Sequence, residues 1–256
     1  MKLTVLGKSP AWTDAGGAGS GYLLEEGDTR VLLDAGSGVF AKLRAANDYA
    51  GIDAVVISHV HGDHFLDLIP FSYGLTLSPR PPGAAEQKRP RLFAPPGGVE
   101  TLRAVTSAWG SDGLVEQAFE LSTYDPDDTV AVGSLRFRFC EVPHYIRSFA
   151  VEVSSVDGGG RITYGSDCGP NEALVEFARD TDLLLIEATL LESDTGTPPG
   201  HLTAAEAGEH GRAAGARRVV LTHISDELDQ DRALGEARDA FTGPLEIAHE
   251  GAVYSV

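Results

Sequence analysis

AVVISHVHGDHFLDL, residues 54–68, places three of the chain's eight histidines and an aspartate within six positions, directly after a run of β-branched residues. Imidazoles and a carboxylate contribute little to a hydrophobic core, so the cluster is either a solvated polar loop or a place that holds a divalent ion. Side chains alternate faces along a strand, so His59 and His61, at the end of VVIS, are predicted to point the same way and to share one ion. Gly62 is expected to let the backbone turn sharply. Asp63 and His64, at the start of the next helix, then approach from another direction, as a second ion a few ångströms away would need. His-x-His-x-Asp-His is the strongest chemical signal in the chain.

Two ions need more than four ligands. His144 in CEVPHYIRS, Asp167 in ITYGSDCGP and His223 in VVLTHIS each stand at the end of a predicted strand. Any one of them alone would read as a hydrogen-bonded turn residue. Together with the first motif they make five histidines and two aspartates. Nitrogen and oxygen ligation without thiolate points to zinc, with manganese or iron as the alternatives. The two cysteines, Cys140 and Cys168, are too few for a cysteine-based zinc site or a disulfide framework, and each reads as a small buried apolar group.

Around the motif the chain alternates strand and helix signals. KLTVLG (2–7), a hairpin over 20–36 turned at Glu26-Gly27-Asp28, and IDAVVIS (52–58) read as strands, with helical spacing from Val39 to Asn47. A second helix is expected after His64, with Phe65, Leu68, Ile69 and Tyr73 on one face. Residues 78–90 hold four prolines and no periodicity, which marks a surface excursion. Further strands are predicted at 135–142, 148–156, 161–166, 182–188 and 217–223, and helices at about 171–178, 203–214 and 228–241. Early hairpins followed by strand and helix alternation imply sheets covered on their outer faces by helices, and no linker justifies a domain cut, so residues 1–256 are read as one domain.

The composition narrows the function. Twenty basic residues against 38 acidic ones give a formal charge of −18, which argues against an extended nucleic-acid surface, because phosphate binding needs a clustered basic face. No apolar run reaches the roughly 18 residues of a membrane span, and the N-terminal stretch turns polar too soon for a signal peptide, so a cytoplasmic protein is expected.

LLDAGSG, SHVHGDHFLDL, PHYIRS, YGSDCG, IEATL and HLTAAEAGEHGRAAGARRVVLTHIS, in that order, together resemble the metallo-β-lactamase-fold hydrolases, and within them the ribonuclease Z-like phosphodiesterases. The resemblance implies an αββα sandwich, an α/β (α+β) fold with two mixed β-sheets face to face, helices outside and two Zn2+ at one edge. It assigns His59, His61 and His144 to one ion and Asp63, His64 and His223 to the other, with Asp167 bridging. Asp34 would support the ligand cluster from behind. Glu187 and His201 match a Glu and His pair that works beside the metals, so Asp63, His201 and Glu187 are expected to be catalytic. His201 also precedes an N-cap at Thr203 with Glu206 completing a capping box. Tyr145 and Arg147, just past His144, are candidates to touch substrate.

Two departures separate the chain from tRNA-processing members. Ribonuclease Z carries a flexible tRNA-gripping arm between the third histidine motif and the bridging aspartate, and here only 22 residues separate His144 from Asp167. The N-terminal segment also lacks the basic, proline-containing loop of those enzymes. The chain is more similar to arm-less relatives acting on small phosphodiesters, including proteins similar to atypical class II cyclic-nucleotide phosphodiesterases. The resemblance therefore implies a dinuclear zinc phosphodiesterase in which hydroxide, generated at the two ions, attacks a small, cyclic, anionic phosphodiester. It also implies a homodimer. The rival expectations are a ribonuclease Z-type tRNA 3′ endonuclease, a lactonase or thioesterase on the same metals, a diiron redox module, which would carry Glu in place of His61, and a non-catalytic scaffold.

Overall fold

In a computed structural model that describes residues 1–47, 49–79 and 88–256, the apolar runs build two seven-stranded mixed sheets. The first contains β1 (Lys2–Gly7), β2 (Gly21–Glu26), β3 (Thr29–Leu33), β4 (Ala54–Val56), β5 (Arg91–Ala94) and β6 (Glu120–Thr123). The second contains β7 (Val130–Val132), β8 (Leu135–Val142), β9 (Ser148–Ser155), β10 (Arg161–Tyr164), β11 (Leu183–Glu187), β12 (Val219–Thr222) and β13 (Leu245–Ile247). The last strand, β14 (Val253–Ser255), returns to the first sheet and pairs with β1. Strand order is β14-β1-β2-β3-β4-β5-β6 in one sheet and β13-β12-β11-β10-β9-β8-β7 in the other.

Period-2 alternation explains the layering. Val31 and Leu33 face inward and meet Phe137, Phe149 and Val153 of the other sheet in a core between the sheets. Leu32 and Val55 face outward and pack under the helices Val39–Ala46 and Leu68–Leu77. Leu184, Ile186 and Leu221 do the same beneath the helices Ala204–Ala214 and Gln230–Ala240. The result is the expected αββα sandwich. No helix among the described residues is long and apolar enough to cross a membrane.

Several local expectations change. The helix after His64 is broken into Gly62–Phe65 and Leu68–Leu77, and its buried residues are Phe65, Leu68, Phe71, Ser72 and Leu75 rather than Ile69 and Tyr73. Tyr73 is exposed, because the break at Leu66-Asp67 rotates the second helix relative to the first. β4 ends at Val56, so His59 and His61 lie beyond the ladder. Gly62 has no left-handed backbone and simply opens the short helix. Most of the 78–90 excursion, residues 80–87, lies outside the described residues.

The parallel halves of the two sheets aim their chain ends at one edge. β3 runs parallel to β4, and β10, β11 and β12 run parallel to one another. β8 is antiparallel to β9, and β9 to β10, so the end of β8 reaches the same edge as the end of β10. The residues that follow β3, β4, β8, β10, β11 and β12 are those on which the sequence reading centres.

Candidate metal centre

Among the described residues four overlapping groups of ligand-type side chains meet at this edge, two of which include His201, one with His144 and Asp167 and the other with Glu187 and His223. The ligand atoms of His59, His61 and His144 lie within 4.8 Å of one another, as do those of Asp63, His64, Asp167 and His223. Three of the histidine rings are held from behind. His64 Nδ1 donates to Asp34 Oδ2 at 2.8 Å, His144 Nδ1 donates to the Gly200 carbonyl at 2.6 Å, and His223 Nδ1 donates to the Thr189 hydroxyl at 2.8 Å. These bonds fix the tautomer and leave the Nε2 lone pair facing inward, as ligation requires.

The donor set fits ions. His59 Nε2, His64 Nε2 and Asp167 Oδ1 are buried without a hydrogen-bond partner, and burial of unsatisfied polar atoms is costly unless something else engages them. His144 Nε2 and His61 Nδ1 lie 3.0 Å apart. With His144 Nδ1–H committed to Gly200, that Nε2 carries a lone pair. Burial pushes the His59, His61 and His144 imidazoles below the ordinary histidine range, so they stay neutral and able to coordinate. His64 goes the other way: burial opposes its charge but is outweighed by the neighbouring carboxylates of Asp167, Asp34 and Asp63. The carboxylates there call for a positive charge, whether a proton or a cation.

Asp167 joins the groups. Its Oδ2 lies 3.3 Å from His64 Nε2, 3.3 Å from His223 Nε2 and 3.8 Å from His59 Nε2. Burial alone would raise its pKa, but the charges of His223 and His64 hold it well below the usual carboxylate range. Asp63 Oδ2 lies 3.0 Å from His223 Nε2. The Asp63 backbone is fixed by close approach, since its carbonyl accepts from Ser20 N at 3.0 Å and a Cβ on Gly36 would lie 1.9 Å from that oxygen. Any side chain at Gly36 would push the motif out of place. Asp34, Ser166 and His223 all adopt positive φ, so left-handed strain concentrates in the shell of this centre.

Asp34 is buried and accepts four hydrogen bonds. Its Oδ1 takes Ser58 N at 2.7 Å, and its Oδ2 takes the Ser58 hydroxyl at 2.7 Å, His64 Nδ1 at 2.8 Å and Tyr164 OH at 3.1 Å. Asp34→Asn would turn an amide donor toward some of these donors. It is expected to weaken metal affinity by roughly 10- to 100-fold, measured by competition against a chromogenic chelator; unchanged affinity would show that Asp34 does not steer His64.

Glu187 is a second hub. Its Oε1 accepts Cys168 N at 2.8 Å and His201 Nδ1 at 2.9 Å, and its Oε2 accepts the Thr189 hydroxyl at 2.6 Å and Leu202 N at 3.1 Å. The chain His223 Nδ1–H to Thr189 to Glu187 therefore orients a candidate ligand ring through a hydroxyl that the sequence reading passed over. Its signal, a threonine two residues past a strand-end glutamate, is not specific. Burial works against charge on His201, but the hydrogen bond and charge of Glu187 raise its pKa above the ordinary value. The capping box of Thr203 and Glu206 is present and anchors the helix that follows.

Asp63, Asp167, Tyr145, His201 and His223 line a cavity of about 570 Å³ with Trp12, Leu66 and Thr189. Arg147 is not among the lining residues, and its guanidinium pairs with Glu141 at 2.8 Å. Cys168 is fully buried and Cys140 partly so.

The beta-lactamase superfamily domain matches residues 29–224. The probable metallo-hydrolase YhfI of Bacillus subtilis is 30% identical over 254 residues, covering 99% of each chain. The crystal structure of the metallo-beta-lactamase fold protein YhfI superposes with a TM-score of 0.86 over 99% of both chains, at 27% identity. A ribonuclease Z of Myxococcus xanthus is 27% identical over 305 aligned positions, covering 98% of this chain and 96% of that protein. The short form of human tRNase Z shares the fold, with a TM-score of 0.72 at 21% identity over 100% of this chain and 99% of that one.

Proposed function

The chain belongs to the beta-lactamase superfamily domain family, and on that footing we propose that this metal-dependent hydrolase is a dinuclear zinc phosphodiesterase acting on a small cyclic phosphodiester. The observation that carries the reading is the Glu187–His201 pair set beside two ligand groups that meet at Asp167. A general acid beside a two-ion centre suits expulsion of a poor oxygen leaving group from a phosphate.

His59, His61 and His144 would hold one ion and Asp63, His64 and His223 the other, with Asp167 within reach of both groups; manganese or iron are the alternatives to zinc. When bound, the two ions would lower the pKa of water toward neutrality and neutralise the phosphate oxygens. The protein does the rest. Asp34, the Gly200 carbonyl and Thr189 keep the rings aimed. His201, with Nδ1 committed to Glu187, presents Nε2–H to the cavity, and from that atom the departing alkoxide takes its proton. The Glu187 carboxylate stabilises the imidazolium before transfer and steadies the ring afterwards. An anionic substrate is drawn by the local cationic centre while the surface stays acidic.

A tRNA 3′ endonuclease is the second reading, favoured by similarity to ribonuclease Z along nearly the whole chain. That alignment runs over more positions than this chain has residues, so the ribonuclease carries segments without a counterpart here, while YhfI aligns almost without gaps. The net charge of −18 also disfavours a long polyanion. The discriminating experiment is a turnover panel of 2′,3′- and 3′,5′-cyclic nucleotides, bis(p-nitrophenyl) phosphate, precursor tRNA and an acyl lactone. Cyclic nucleotides are expected to turn over, with precursor tRNA cleaved poorly at physiological salt. Efficient 3′ cleavage of the tRNA would establish the second reading, and lactone turnover alone would move the chemistry to acyl transfer.

A further inference from the structure

We propose that Trp12 is the platform on which the substrate's nucleobase stacks, with Tyr145 as a second wall, making this site one for a single phosphodiester attached to a nucleoside. The inference rests on the phosphodiesterase reading of the site and adds to it the part of the substrate that the metals do not touch.

The cavity at the centre divides by chemistry. Its floor is His61, Asp63, Asp167, His201 and His223. Its rim is neutral and apolar: Trp12 is 49% exposed, Tyr145 59% and Leu66 36%. Among the described residues lining it there is no lysine or arginine. A second phosphate would find no cation there, so the substrate beyond its one phosphodiester is uncharged. Thr13 and Ser37 also line the cavity, and hydroxyl-bearing residues suit the ribose and base edges of a nucleoside better than a hydrocarbon chain.

Trp12 is built into place. Its indole N–H donates to the buried Ser225 hydroxyl at 3.0 Å, two residues after the ligand His223. The loop around it is laced to the same segment, with Lys8 Nζ donating to the Ile224 carbonyl at 2.7 Å and Asp226 N to Asp14 Oδ1 at 3.0 Å. Lys8 also pairs with Asp14. The only polar atom of the indole is thus engaged away from the ligand, and an apolar ring remains half exposed in the cavity. Tyr145 follows the ligand His144 and is held equally: its hydroxyl donates to Asp194 Oδ2 at 2.8 Å, and its ring lies where a Cβ on Gly200 would come within 2.3 Å. The rings of Tyr145 and His201 are 5.6 Å apart. Each aromatic therefore adjoins one ligand group, and rings held in this way offer their faces to a flat heterocycle at little ordering cost.

Two measurements on the metal-loaded protein test this. The chain has two tryptophans, so Trp109→Phe leaves Trp12 as the sole indole. Its fluorescence is expected to be quenched on titration with a nucleoside 5′-monophosphate, at concentrations where ribose 5-phosphate has little effect. In turnover, Trp12→Ala is expected to raise KM for a nucleoside 3′,5′-cyclic phosphate by roughly 10- to 100-fold, the effect of losing one stacked base. That rise should exceed by about tenfold the rise for ribose 3′,5′-cyclic phosphate, which has no base. Trp12→Phe, which keeps a ring but loses the Ser225 bond, should recover most of it. No quenching by the nucleotide, equal quenching by ribose 5-phosphate, equal KM changes on both cyclic phosphates, or quenching by a long-chain acyl lactone instead would overturn the proposal. Absence of turnover on bis(p-nitrophenyl) phosphate would sink the phosphodiesterase reading alone, since quenching reports the base site without catalysis.

Discussion

Asp167→Asn is expected to empty the centre of at least one ion and to abolish hydrolysis, while the fold survives. Among the described residues its carboxylate is the only one within 4 Å of histidines from both ligand groups, reaching His59, His64 and His223, and one of its oxygens has no hydrogen-bond partner. An amide has nearly the same shape but brings no charge and sets a donor among nitrogens that must stay unprotonated. The wild-type protein should carry about two ions per chain, lose all activity to a chelator and regain it with zinc. Elemental analysis of the variant should show about one ion or fewer. Thermal unfolding gives a readout independent of activity. Ions that bind only the folded state raise its stability in proportion to RT ln(1 + [M]/Kd), so the rise in Tm on adding zinc should be large in the wild type and much smaller in Asp167→Asn. Two ions retained by the variant, or a wild-type protein holding one ion without Asp63 and His64, would remove the dinuclear assignment.

His201→Ala separates the acid from the metals. It should keep both ions yet lose about 10²- to 10⁴-fold activity on a cyclic nucleotide, whose ribose oxygen needs a proton to leave. On bis(p-nitrophenyl) phosphate the loss should be much smaller, because nitrophenolate departs unprotonated. The hydrogen bonding supports the selectivity: without His201, Glu187 still accepts from Cys168 N, Leu202 N and Thr189, so the ligand shell has reason to stay. Glu187→Gln is the less discriminating variant. Leaving-group logic alone predicts the His201→Ala pattern in weaker form, but all four donors to Glu187 face a carboxylate, and an amide would confront some of them with its own N–H groups. That disturbance reaches His223 through Thr189, so Glu187→Gln should also lower metal occupancy. Equal losses on both substrates in His201→Ala, or departure of an ion, would show that this histidine serves the metal centre instead.

Much of this was legible in the chain itself, because the relevant signals are local. Alternation placed β1 at Lys2–Gly7 and the β2–β3 hairpin around Gly27, and Thr203 with Glu206 announced a helix start. The candidate ligands could be picked out because a strand-end histidine or aspartate is chemically conspicuous, and the structure brings all seven of them to one edge. The neighbouring arginine, Arg147, was conspicuous too, yet it turns to Glu141. Short elements carried no such signal: β14 has three residues, with only Tyr254 buried, and becomes a strand because β1 offers it an unpaired edge.

Residue chemistry and period-2 patterning act over a few positions, so the chain alone pointed to the candidate metal ligands and to the strands that deliver them. What stands behind and beside them came from packing: the Gly200 carbonyl on His144, Thr189 between His223 and Glu187, the glycine backbone against Asp63, and Trp12 tied to Ser225 across 213 positions. These contacts join segments that are remote along the chain. They arise where two packed sheets bring several loop ends into one small volume, and there each buried donor must find whatever acceptor the packing supplies.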